Sequence, residues 1–157
     1  MNAATQAFTI ELATKIANLA SLFRAEFPDV NVDLSPWHCE PQTLAHIDPH
    51  SIDLSFFFSS YCIGMGCYCV LMQVHFSESL RQPTCELLEI EVHAFDRRRL
   101  KRWQFSSEYS LFEGMSLPDL DYQERFRHAI DRMMLLFGRS DLVDSDRVDL
   151  ESDARSS

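Results

Sequence analysis

Three of the five cysteines of the sequence surround one short segment that is typical of a turn. Cys62, Cys67 and Cys69 flank residues 63–66, which read Ile-Gly-Met-Gly. A tight turn would bring the thiols together, and thiolates bind zinc and iron well. In the expected pairing of two neighbouring strands, His93 lies opposite Cys69 and would add a nitrogen ligand. The spacing matches no standard zinc motif, so we favour small side chains packed at the end of a hairpin and predict no cofactor. The alternative is a zinc or iron site, and with it a metal- or thiol-dependent enzyme or sensor.

A basic run follows the fourth predicted strand. Arg97, Arg98, Arg99, Lys101 and Arg102 are five of the 14 basic residues in a chain of formal net charge −10. Two aromatic residues follow this run, and basic residues beside aromatic side chains can bind single-stranded nucleic acid. The overall negative charge opposes that partner, and the aromatic side chains fit better in a core. We therefore expect the run to bind an acidic protein partner or the chain's own acidic tail. A charged turn without a binding role and nucleic-acid binding remain the alternatives.

Phe57 interrupts an otherwise regular alternation of apolar and polar residues. Its neighbours at every second position from Ile52 to Phe58 are apolar, so Phe57 is predicted to point to the opposite face of the sheet. Leu71 and Leu87 are expected to join it there. An apolar patch on a polar sheet face often marks an interface. We therefore predict that Phe57 contacts a protein partner or a second copy of the chain.

The same polar face carries groups that can transfer protons. General acid and base catalysis would need a cleft over them. The sequence contains no nucleophile elbow and no glycine-rich phosphate loop. Alternating charged residues on a strand are typical of a solvated surface, so an enzyme is not the favoured class and no catalytic residue is predicted. The groups in question are His75, Glu89, Glu91, His93, Arg102 and Gln104.

The elements that position these residues follow from the periodicity of apolar residues. Apolar residues from Phe8 to Phe27 recur every three or four positions and predict a helix, which Thr5 or Thr9 can cap. A second helix is predicted from Tyr122 to Phe137. Period-two patterns with short connections between them predict about five antiparallel strands. These strands fall at residues 30–35, 51–61, 67–76, 85–95 and 100–106. The alternation predicts that Tyr68 and Leu88 lie on the apolar faces that form the core.

The predicted fold class is α+β. Both helices would pack on one face of an antiparallel meander, which gives a two-layer sandwich with the opposite face open. We expect a single domain over residues 1–140 and an acidic disordered tail over 141–157. This outline resembles that of secretion-type chaperones and similar adaptors, a likeness of fold that does not fix function.

Composition favours a cytoplasmic protein. No stretch reaches the roughly 20 apolar residues that a membrane span needs, and the first residues lack the pattern of a signal peptide. The cysteines are therefore expected to be reduced. The function predicted from the sequence is a non-enzymatic interaction module, such as an adaptor, a chaperone-like protein or an assembly factor, and a homodimer is expected.

Overall fold

The computed structural model describes residues 1–37 and 47–138. The predicted tail at 141–157 lies outside the described residues. The described part contains three helices and six strands. Their bounds are α1 Ala3–Gln6, α2 Ile10–Glu26, β1 Val30–Asp33, β2 Ser51–Cys62, β3 Cys67–Phe76, β4 Leu87–Phe95, β5 Lys101–Ser106, β6 Leu111–Gly114 and α3 Leu120–Leu136.

The strands form one antiparallel sheet in which spatial order equals chain order, from β1 at one edge to β6 at the other. The predicted α+β meander with an N-terminal and a C-terminal helix is therefore confirmed, with six strands instead of five. The sixth strand, β6, was missed because it is four residues long and buries a single large side chain, Phe112. So short a segment gives no measurable alternation of apolar residues.

A side-chain cap and a proline explain the bounds of α2. The Thr9 hydroxyl accepts a hydrogen bond from the Leu12 backbone N–H at 3.1 Å, which satisfies one of the free donors of the first turn of α2. This helix ends at Glu26, just before Pro28, because a residue preceding proline is disfavoured in the helical conformation. Asp119 occupies the N-cap position of α3 without a side-chain capping bond.

Both long helices cover the same face of the sheet and meet aromatic side chains there. The Phe23 ring of α2 stacks on Phe56 of β2 at a centroid distance of 4.0 Å. On α3, Phe126 makes edge contacts with Trp103 at 5.5 Å and Phe105 at 5.1 Å, both from β5. Burial of each such ring contributes about 2–3 kcal/mol. The core therefore lies between the sheet and the helix pair.

The side chains at the start of β4 face the opposite sides of the sheet from those predicted. The sequence pattern placed Leu88 in the core and Leu87 on the opposite face, but Leu88 is 61% exposed and Leu87 packs against the core. The pairing of β3 with β4 shifts register between His75 and Phe76, at a β-bulge. A bulge inserts one residue and so exchanges the two faces for the residues beyond it. Leu87 therefore does not join Phe57.

The opposite face of the sheet is not entirely open. Beyond the end of β1, the chain at Met1–Asn2 runs beside Asp53 of β2, whose N–H donates to the Met1 carbonyl at 2.8 Å. Ser51, Asp53 and Ser55 are buried on that face. The remainder of this face, which we call the outer face, carries the candidate site.

Candidate functional site

A cleft with a volume of about 490 Å³ lies on the outer face, at the end of the sheet where β4 turns into β5. We call it the aromatic cleft because four aromatic side chains line it. They are Trp37, Phe57, Tyr68 and Phe95. Its volume falls within the range of about 300–1,000 Å³ that is usual for ligand pockets.

Phe57 lies in the wall of this cleft, as the alternation in β2 predicted for the outer face. Its ring is half-buried and makes an edge contact with Tyr68 at a centroid distance of 6.4 Å. The sequence pattern assigned Tyr68 to the core, which is wrong. The pairing of β2 with β3 is irregular between Phe57 and Cys62, and both Tyr68 and Cys69 line the cleft. Leu71 also lines it, as expected.

Arg97 and Arg99 line the mouth of the aromatic cleft. The Arg97 guanidinium lies over the Tyr68 ring at 5.2 Å, which combines a cation with an aromatic face. Arg98 lies between them in the chain and is exposed, but it does not line the cleft. The basic run is therefore divided, with two arginines at the mouth and one beside it.

Asp96 fixes the turn that carries these arginines. One oxygen of its carboxylate accepts hydrogen bonds from the backbone N–H groups of Arg98 at 2.8 Å and Leu100 at 3.0 Å. The Asp96 N–H donates to the Leu100 carbonyl at 3.0 Å, and Arg99 takes a positive φ of 63°. An aspartate that bonds the backbone of its own turn is a common way to order such a loop. The arginine backbone is thus held in place while the side chains extend from it.

The two carboxylates that line the cleft are both engaged with backbone donors. Asp96 bonds the turn, and Asp33 accepts from the Ser35 N–H at 2.8 Å. Within residues 1–37 and 47–138, Arg97, Arg98 and Arg99 take part in no ion pair. The charges of the two arginines and two aspartates in the lining cancel formally, but the guanidinium groups at the mouth remain available to an anion, on a protein of formal net charge −10.

The opposite wall is anchored by a buried carboxylate. The Trp37 indole N–H donates to Asp53 at 2.6 Å, and the Trp37 backbone bonds the Asn2 side chain at 2.9 and 3.0 Å. Asp53 is fully buried and also accepts from the α-amino group of Met1 at 2.8 Å and from the Ser51 hydroxyl at 2.7 Å. These bonds hold the indole in the cleft wall. Neither Trp37 nor Asp53 was among the site residues predicted from the sequence; the one available signal was an acid between two core residues of a strongly apolar strand.

Lys101 and Arg102 lie away from the aromatic cleft. They line a separate hollow of about 240 Å³ beside Gln104 and Glu113. The Lys101 ammonium bonds the Gln104 carbonyl oxygen, and the Gln104 amide donates to Glu113 at 3.1 Å. Four of the five basic residues of the predicted patch therefore divide between two places, and Arg98 lines neither.

The cysteine hairpin forms, but its register differs from the one we expected. Cys69 pairs with Phe95, and His93 pairs with Leu71, so the predicted juxtaposition of Cys69 and His93 is wrong. Cys62 and Cys67 pair directly and carry free thiols. No group of three or more histidine, cysteine, aspartate or glutamate side chains within the described ranges could hold a metal ion.

Burial sets the character of these thiols. It raises the pKa of the Cys67 thiol far above its ordinary value, and the neighbouring cysteines add to the effect. The pKa of Cys69 is also raised by burial, with a contribution from Asp96 and an opposing one from Arg99. Both thiols therefore stay protonated, although the thiolate is the form that attacks and binds metal.

A row of acids and histidines crosses the outer face beyond the cleft. The two ring nitrogens of His75 lie 3.1 Å from Asp48 and 3.2 Å from Glu91, and the other oxygen of Glu91 lies 3.0 Å from His93. Burial and Lys101 lower the pKa of His93 despite the opposing effect of Glu91. For Asp48, burial raises the pKa, but bonds from the His50 N–H and from His75 outweigh it and the net direction is downward.

A family model described as a domain of unknown function matches residues 4–139 of the chain. No curated protein and no solved structure matches it. Among the described residues, no helix is long and apolar enough to cross a membrane.

Proposed function

We propose that this chain, a member of the family defined by that domain of unknown function, is a non-enzymatic interaction module. It would act as an adaptor or assembly factor that binds an acidic segment of a protein partner. The observation that carries the proposal is the pair Arg97 and Arg99, which line the mouth of a preformed cleft without an ion-pair partner among the described residues. Arginine on such a surface favours carboxylates, which it can bind through two parallel hydrogen bonds.

The electrostatics of the whole molecule support a local contact rather than general attraction of anions. A formal net charge of −10 repels nucleic acid and anionic surfaces at long range. The electrostatic interaction with an acidic segment becomes favourable only when that segment reaches the arginines. Such an arrangement restricts binding of acidic partners to the cleft, because the rest of the negatively charged surface repels them.

Two further parts of the proposal concern assembly and compartment. We propose that the protein is cytoplasmic, in keeping with the free thiols of Cys62 and Cys67, which pair directly across one hairpin. A homodimer through the outer face would bury Phe57 and would close the aromatic cleft. Light scattering coupled to size-exclusion chromatography gives the molar mass of the free protein, and a monomer would leave the cleft available to partners.

The test compares two sets of arginine substitutions in the full chain. Arg97→Ala with Arg99→Ala removes the charges at the mouth, whereas Arg98→Ala removes an exposed charge from the same turn and serves as the matched control. Each protein is immobilised and exposed to an extract of its own cells, and retained proteins are quantified by mass spectrometry.

We expect acidic proteins to be retained by the wild type and by the Arg98 control, lost with the double variant, and released as salt is raised. Retention of the same proteins at the same level by the double variant would contradict the proposal. So would native mass spectrometry that finds a stoichiometric metal or metabolite on protein purified anaerobically from those cells.

A further inference from the structure

We infer that the aromatic cleft receives one aromatic side chain from the partner's acidic segment, so that the recognised pattern is an aromatic residue flanked by acidic residues. The inference rests on the proposed function and specifies its partner. It follows from two features that occur together, a wall of aromatic rings and a mouth with two arginines that have no ion-pair partner among the described residues.

The wall favours a ring. Phe57 and Tyr68 already meet edge to face, and Trp37 and Phe95 complete the lining. Aromatic pairs are stabilised in edge-to-face and offset stacked arrangements beyond the effect of area alone. A carboxylate by itself would bind at the mouth and leave a cleft of about 490 Å³ without an apolar occupant.

The mouth requires an anion next to that ring. Arg97 already lies over the Tyr68 ring, so its guanidinium is within reach of any group that enters beside Tyr68. Asp33 and Asp96 form no ion pair with these arginines, and each carboxylate bonds backbone N–H groups instead. An acidic residue adjacent to the ring would give the guanidinium groups the direct partner that they lack among the described residues.

Both walls are held before a partner arrives. The Asp96 bonds fix the turn that carries the arginines, and the Asp53 bond fixes the Trp37 indole. Binding therefore orders few groups that were free, which is the condition under which a small cleft gives useful affinity.

The test uses isothermal titration calorimetry of the full chain with blocked hexapeptides. One peptide has a phenylalanine between acidic residues, a second has alanine in its place, and a third keeps the phenylalanine but has amides for the acids. We expect the first to bind about tenfold more tightly than the second, as one well-packed aromatic contact implies. It should also bind more tightly than the third, which lacks the carboxylates for the arginines.

Variants connect the effect to the cleft. Phe57→Ala should remove the difference between the phenylalanine and alanine peptides, and Tyr68→Ala provides a second variant if the first fails to fold. Leu88→Ala, an exposed apolar residue of the same sheet outside the cleft, should leave all affinities unchanged.

Three outcomes would overturn the inference. Equal affinity for the phenylalanine and alanine peptides would refute the aromatic requirement and leave the proposed function in place. Failure of every acidic peptide to bind would refute both. Tighter binding of an oligothymidine strand than of any peptide, weakened by Phe57→Ala and steeply dependent on salt, would assign the cleft to nucleic acid instead.

Discussion

Replacement of Asp53 by asparagine tests the anchor of the cleft wall. The substitution keeps the shape of the side chain and removes its charge, which leaves the Met1 ammonium without its counter-ion. At the observed separation of 2.8 Å, the attraction between unit charges is about 6 kcal/mol for an effective dielectric constant of about 20. Met1 is 35% exposed, so water replaces part of that interaction. Since breaking a buried pair costs about 3–5 kcal/mol, we expect a loss near the lower end, about 3 kcal/mol.

Urea denaturation of the chain that begins at Met1 measures this loss. The midpoint should fall without a change in slope, and the melting temperature should fall by about 6–12 °C. Asp131→Asn, an exposed acid on α3, is the control and should change stability by less than about 0.5 kcal/mol.

A second perturbation separates the ion pair from the other bonds of Asp53. Acetylation of the Met1 amino group removes the other charge, and the two changes together should cost less than the sum of their separate effects. Strict additivity, or an Asp53→Asn variant within about 0.5 kcal/mol of the wild type, would refute the role assigned to the pair.

The remaining predictions concern other parts of the fold. Gly114→Ala should lower the free energy of unfolding by about 3 kcal/mol or more. Its φ is 147°, and a Cβ there would meet the backbone of β5 at 2.5 Å. The control Gly138→Ala should be nearly neutral, and urea denaturation compares the two variants. Since the pKa of His93 is lowered, its contribution to stability is present above its ordinary value of 6.5 and is lost as pH falls through the lowered value. The wild type should therefore lose more stability than His93→Gln between pH 7.5 and 5.5, and equal losses would contradict this. Cys67 should react with a thiol reagent only as fast as the protein unfolds, whereas Cys69 should react faster, and mass spectrometry of labelled peptides distinguishes them.

Much of the fold was predictable because local patterns and tertiary burial agree. The stripe that ends at Phe27 and the alternation around Phe56 both describe faces that are in fact buried. The exceptions lie where a bulge changes the alternation, as at Leu87 and Tyr68. A bulge adds one residue to a strand, and no side-chain pattern records it in advance.

The candidate site was predictable only in its separate residues. Phe57 and Arg97 were identified, but whether they lie close together depends on the register in which β2 pairs with β3 and β3 pairs with β4. The expected register placed Cys69 opposite His93 and was wrong by two residues. Trp37 was not predictable, since its place depends on a hydrogen bond to Asp53 across 16 positions of the chain.

The sheet order has a consequence for how the molecule is made. Each strand pairs with its neighbours in the chain, so each hairpin can close as soon as its second strand leaves the ribosome, without waiting for a distant segment. The two long helices, in contrast, pack on strands that are distant in the chain. Helix α2 is made early, so Phe23 stays exposed until β2 is made, and α3 is made after all the strands. Sheets joined by short connections close their loops at low entropic cost, and the chain should refold quickly from denaturant for that reason. The last event should then be the docking of α3, when Phe126 reaches the rings of β5 and the core becomes complete.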